Sequence, residues 1–175
     1  METISIHKPK VVVIGSCNTD MVVKANRLPV PGETILGGTF YMNPGGKGAN
    51  QAIAASRLGA EVTFISKIGY DLFGLQALEI YKSEKINTDF IFTDQKSPSG
   101  VALISVDSFG ENSIIVAPGA SRSLSIEDIN KAEEKIKEAD IILMQLEVPI
   151  DTVEYAATIA NRYGKKVILN PAPAS

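Results

Sequence analysis

Histidine and cysteine are almost missing from this 175-residue chain: His7 and Cys17 are the only ones. A single histidine in the leading tail nearly removes Ser-His-Asp hydrolysis, Cys-His catalysis and histidine-held zinc from consideration. A single cysteine permits no internal disulfide and suits a reducing compartment, so a cytoplasmic setting is expected. Cys17 lies near a strand end and reads as a small packing residue in preference to a nucleophile. Long apolar runs are also lacking. The longest, such as Ile141 to Leu146, are far too short to span a bilayer. Met1 to Lys10 has no apolar h-region, so no signal peptide is expected there. Nor is positive charge in surplus: the net charge of −3 offers no basic surface to nucleic acid or an anionic membrane. With 45% hydrophobic and 21% charged residues, the chain has the composition of a soluble globular protein. Its length allows one ordinary core or part of a larger domain.

Asn43-Pro44-Gly45-Gly46-Lys47-Gly48-Ala49-Asn50-Gln51 is the most informative stretch present. Three glycines in four positions lead straight into an Ala-rich helix. Glycine reaches positive φ freely and lets another molecule approach the main chain. The helix start points its free N–H groups and positive dipole end at the same place. Lys47 and Asn50 add polar donors, which suits a small-molecule site. The competing reading is a plain tight turn with a solvated lysine. The motif is not a Walker A loop, because Gly48 stands where Ser or Thr would follow the lysine.

Val11-Val12-Val13-Ile14-Gly15 has the continuous β-branched pattern of a strand covered on both faces. Helices are predicted over 48–58, 71–84, 126–138 and 151–163, and strands over 61–67, 89–93, 140–145 and 166–170. Leu72, Leu75, Leu78 and Ile80 or Tyr81 are expected to form the apolar side of the second helix. Ser125 is the expected N-cap of the third, whose charged residues Lys131 to Lys137 read as a solvated surface. Asp151 and Glu154 resemble a capping box for the fourth. This alternation predicts a doubly wound, mostly parallel α/β sheet with helices on both faces. Residues 20–42 and 100–117 break the rhythm and read as hairpin arms of a small projecting antiparallel sheet. Such a sheet is either a lid over a site or cover for a sheet edge.

Ligands of open α/β sheets bind outside the carboxyl ends of the strands. Here those exits carry Asn18 and Asp20, then Glu147, then Asn170. Asn18 and Asp20 are two apart and point the same way in extended chain. An amide beside carboxylates suits a polyhydroxylated ligand. Each residue alone also fits a turn or cap.

Taken in order, these segments resemble the N-terminal part of the ribokinase-like (PfkB-type) carbohydrate kinases, and the ribokinase branch in particular. The resemblance rests on Gly15-Ser16-Cys17-Asn18-Thr19-Asp20, Pro31-Gly32-Glu33-Thr34, Gly45 through Ala52, Ser66-Lys67-Ile68-Gly69-Tyr70-Asp71-x-x-Gly74, Gly100-Val101-Ala102-Leu103-Ile104, Met144-Gln145-Leu146-Glu147 and Leu169-Asn170-Pro171-Ala172-Pro173. It implies ATP-dependent phosphorylation of the primary 5-hydroxyl of D-ribose. Asn18, Asp20, Gly46, Lys47, Asn50 and Glu147 match positions that hold the sugar hydroxyls, with Gly45 and Gly48 in the same loop. Ala102 and Ile104 match lid residues against the sugar. The projecting sheet matches a lid that also joins two subunits, so a homodimer is implied. Magnesium and a monovalent cation, usually potassium, accompany the family's chemistry.

Gly-x-Gly-Asp, the start of the anion hole and the catalytic Asp in this family, does not occur here. The base, the Asn-x-x-Glu segment and the nucleotide pocket are therefore expected beyond Ser175. Residues 1–175 read as the N-terminal part of a longer kinase domain, with no catalytic residue of their own. Two alternatives stay open. One is a related kinase for fructose, a nucleoside or a ketogluconate. The other is a non-catalytic sugar-binding or oligomerisation module.

Overall fold

The β-branched run near the N-terminus becomes the middle strand of the main sheet. The computed structural model describes residues 8–173, so the readings of His7 and of a leader fall outside the described residues. Strand β1 (Lys10–Ile14) lies in the centre of a five-stranded sheet. Its neighbours are β4 (Glu61–Gly69) and β8 (Ile141–Met144), flanked by β5 (Ile91–Asp94) and β9 (Lys166–Leu169). Every pairing in this sheet is parallel. Side chains alternate across it, which divides the core in two. Val11 and Val13 join Phe64, Ala49, Ala52 and Tyr81 on the face covered by α1 (Lys47–Arg57) and α2 (Leu72–Ser83). Val12 and Ile14 join Ile129, Ile136, Ile142 and Ile159 on the opposite face, beneath α3 (Ile126–Lys131), α4 (Glu133–Glu138) and α5 (Ile150–Arg162). No helix among the described residues is long and apolar enough to cross a membrane.

Four local expectations need correction. The buried side of α2 is Gly74, Ala77 and Tyr81, while Leu72 and Leu75 are 65% and 56% exposed. The helix lies too close for leucine: a Cβ on Gly74 would sit 2.4 Å from the carbonyl oxygen of Gly69. The single helix expected over 126–138 is interrupted at Ala132, which ends α3 and starts α4. Ser125 does cap α3, in a reciprocal box with Asp128. Asp151 forms no such box. Helix α5 begins one residue earlier, after Pro149, and the Asp151 carboxylate accepts from the Thr152 N–H at 2.8 Å.

The fourth correction concerns the projecting sheet. It contains β2 (Asn18–Lys24), β3 (Thr39–Gly45), β6 (Gly100–Val106) and β7 (Asn112–Ala117), in the order β3-β2-β6-β7. Each hairpin is antiparallel, but β2 and β6 pair in parallel, so the sheet is mixed. Both strands leave the main body side by side, at Asn18 and Gly100, and run outward together. Hairpin patterns reveal the pairing within each arm but not the seam between arms.

Candidate functional site

Three chain segments meet at the carboxyl edge of the main sheet: the exit of β1, the start of α1 and the exit of β8. Helix α1 enters steeply over Gly46, whose φ of 90° favours glycine, and has no side-chain cap of its own. The Ala49 N–H donates to the Ser16 carbonyl at 2.9 Å. This contact leaves no room at Gly48, where a Cβ would come within 2.7 Å of the Ser16 backbone. The glycine loop therefore brings helix and strand exit into direct contact.

Glu147 arrives from β8 and supplies what the helix start lacks. Its Oε2 accepts from the Ser16 hydroxyl at 2.5 Å and from the Lys47 N–H at 2.9 Å. Its Oε1 lies 3.1 Å from Lys47 Nζ. No acidic residue stands in the first turn of α1, so this distant carboxylate meets the positive end of the helix. Partial burial pushes the Glu147 carboxyl up. The Ser16 hydroxyl, the Lys47 N–H and the Lys47 ammonium outweigh burial and hold it below the usual carboxylate range.

Asp20 has the opposite balance. Burial and the neighbouring Glu147 charge raise its pKa, with Lys47 only partly opposing them. Its carboxylate lies against Gly45 so tightly that any Cβ there would overlap it. Asn18 is buried beside Gly100, and its Oδ1 has no hydrogen-bond partner among the described residues. A buried amide oxygen without a partner is costly unless a ligand satisfies it.

Of the expected site residues, Asn18, Lys47 and Glu147 line one cavity of about 310 Å³, together with Ser16, Val116 and Arg122. Asp20 is coupled to Lys47 and Glu147 by charge. Ala102 is buried and pairs with Asp20 across β2 and β6; Ile104, partly buried, pairs with Val22. Asn50 is exposed in the first turn of α1. A larger cavity of about 420 Å³ opens between the projecting sheet and α2, but among the described residues Glu79 is its only ionisable lining residue. The chemistry is concentrated in the smaller one.

Sequence reasoning gave no role to Ser16, Arg122 or the Gln51–Gln145 pair. Gln145 is fully buried, donates to Gln51 Oε1, and has its own Oε1 unpartnered among the described residues. The signal for Ser16 was its place at the β1 exit; Gln51 and Gln145 stood in the matching motifs without a role, and nothing local marked Arg122. Cys17 is buried, and burial pushes its thiol up to about 11, as a packing residue requires. Among the described residues no three His, Cys, Asp or Glu side chains converge on a metal position. These residues thus offer no carboxylate cluster that fits magnesium.

A sheet with its polar groups at the carboxyl edge and a glycine loop at a helix start defines an open α/β protein of the ligand-binding class. Residues 8–175 match the pfkB family carbohydrate kinase profile, and the chain belongs to that family. Within it the similarity runs to the ribokinases. The chain is 46% identical to the ribokinase of Haemophilus influenzae over 162 residues, covering 93% of this chain and 53% of that protein. It is 40% identical to the deoxyribokinase of Salmonella typhi, covering 94% of this chain and 54% of that one. The structure of Arabidopsis thaliana ribokinase complexed with ribose and ATP superposes with a TM-score of 0.80 at 33% identity, covering 95% of this chain and 54% of that one. The chain thus spans about half the length of the relatives it matches. The expected family and the ribokinase-like α/β fold are both borne out.

Proposed function

We propose that these residues form the sugar-binding part of an ATP-dependent ribokinase, which transfers a phosphoryl group from ATP to the 5-hydroxyl of D-ribose. The observation that carries this reading is the shared cavity of Asn18, Lys47 and Glu147, with Asp20 beside it. Ionised carboxylates accept from sugar hydroxyls, the ammonium donates, and the unpartnered Asn18 oxygen accepts. Gly45, Gly46 and Gly48 shape the loop, Asn50 contributes from the first turn of α1, and Ala102 and Ile104 give the sugar an apolar wall. The projecting sheet serves as the lid and as the contact between two subunits.

Phosphoryl transfer depends on positioning and on stabilising spread charge. The base that takes the hydroxyl proton, the bound nucleotide and its magnesium and potassium are assigned to the half of the relatives' length that this chain does not span. A cytoplasmic location agrees with the lone buried thiol.

A coupled assay for ADP release with ribose, ATP, Mg²⁺ and K⁺ tests this reading. Ribose-dependent turnover is expected from the full-length gene product and not from residues 1–175 alone. Turnover by the 175-residue chain would refute the placement of the base, and no turnover by either would refute ribose. The deoxyribokinase relative supports a second reading, in which 2-deoxyribose is the better substrate. The ratio of kcat/KM for the two sugars decides between them.

A further inference from the structure

Arg122 is the one charged side chain lining the site cavity that nothing answers. The other two, Lys47 and Glu147, form an ion pair. Arg122 is exposed and has no hydrogen bond or ion pair among the described residues. Its backbone, by contrast, is firmly held. It belongs to a short 3-10 helix, Gly119–Ser123, that follows β7. The Ala120 N–H donates to the Pro98 carbonyl at 2.8 Å, and the buried Ser121 hydroxyl exchanges bonds with the Cys17 main chain at 3.3 Å. On the other side, the Ser123 hydroxyl donates to Asp94 at 2.6 Å. A free guanidinium thus stands on a fixed base at the rim of the cavity.

We infer that Arg122 binds the phosphoryl group handled at this site, an assignment that rests on the sugar-kinase reading. A neutral sugar gives a guanidinium no charge to meet, whereas phosphate oxygens match its planar fork of donors. Val116, Pro118 and Leu146 line the same space and form the apolar part of its wall. The phosphoryl group can be that of the sugar phosphate product or the terminal group of the nucleotide.

The test compares wild type, Arg122→Ala and Arg122→Lys in the full-length protein, with calorimetric Kd values for ribose, ribose 5-phosphate and a non-hydrolysable ATP analogue. Arg122→Ala is expected to weaken at least one phosphate ligand by about tenfold or more, as loss of a charge-assisted hydrogen bond does. Ribose affinity should stay within about twofold, and Arg122→Lys should recover part of the loss. Loss on ribose 5-phosphate alone assigns the product phosphate; loss on the nucleotide alone assigns the donor. Unchanged affinity for both phosphates overturns the inference, as does an equal loss for ribose. A wild-type protein that ignores ribose would count against the kinase reading, while the phosphate arms would still decide Arg122.

Discussion

At the scale of single residues, the two site carboxylates are tuned in opposite directions. Asp20 is raised by burial and by the charge of Glu147, so its ionised form costs folding stability at neutral pH. That cost is relieved as pH falls through its elevated pKa, and if the carboxylate holds the sugar as proposed, binding is lost over the same range. Ribose affinity in the full-length protein should therefore begin to fall at a pH above the ordinary Asp value of about 3.9. Asp20→Asn should bind ribose about tenfold more weakly, flatten that pH profile, leave ATP binding nearly unchanged and unfold at higher urea at pH 7. Equal losses for ribose and ATP would sink the assignment. Glu147 behaves in reverse. Its lowered pKa gives stability that is complete above the unfolded value of about 4.3 and disappears as pH falls through the folded one. Glu147→Gln should cost about 1–3 kcal/mol at pH 7, and the gap from wild type should narrow on acidification, as urea titrations at pH 7 and at successively lower pH would read.

At the scale of elements, β9 stands apart. It forms one edge of the main sheet, with Val167, Ile168 and Leu169 37%, 45% and 46% exposed. An apolar edge strand with free backbone groups is a template for further pairing. The 175-residue chain on its own should associate at micromolar concentration, and Ile168→Lys should reduce this in light scattering or sedimentation. A monodisperse wild-type chain with a sharp, reversible melt would contradict it. Strand positions were readable because β-branched runs and helix periods are local patterns. The inner face of α2 was not: it depends on how closely Gly74 approaches Gly69, a distance that only the packed pair defines. The missing box at Asp151 has the same origin, since Pro149 starts α5 in its place.

For the whole molecule, the two sheets divide the labour. The parallel sheet supplies the edge on which Asn18, Lys47 and Glu147 gather, and the mixed sheet extends from it through Asn18, Gly45 and Gly100. The sequence exposed the strand exits and the glycine loop, because each is a contiguous motif. It could not expose Arg122 or the Gln51–Gln145 bond, whose members meet only after folding. On the projecting sheet, Ile114 pairs with Ile104 and is 50% exposed, beside Val116 at 46%. If this face joins two subunits, Ile114→Glu should shift the full-length protein from dimer to monomer in sedimentation velocity, and an unchanged dimer would place the contact elsewhere.

The buried thiol has one more consequence, for spectroscopy. Cys17 is 3% exposed and, at a pKa of about 11, almost wholly protonated near neutrality. A maleimide dye therefore meets no competing nucleophile of its kind within these residues. Phe109, 89% exposed at the turn between β6 and β7, marks the tip of the projecting sheet. Phe109→Cys would carry a fluorophore at that turn, with the buried Cys17 left in place. Its emission during a sugar titration would follow the tip directly.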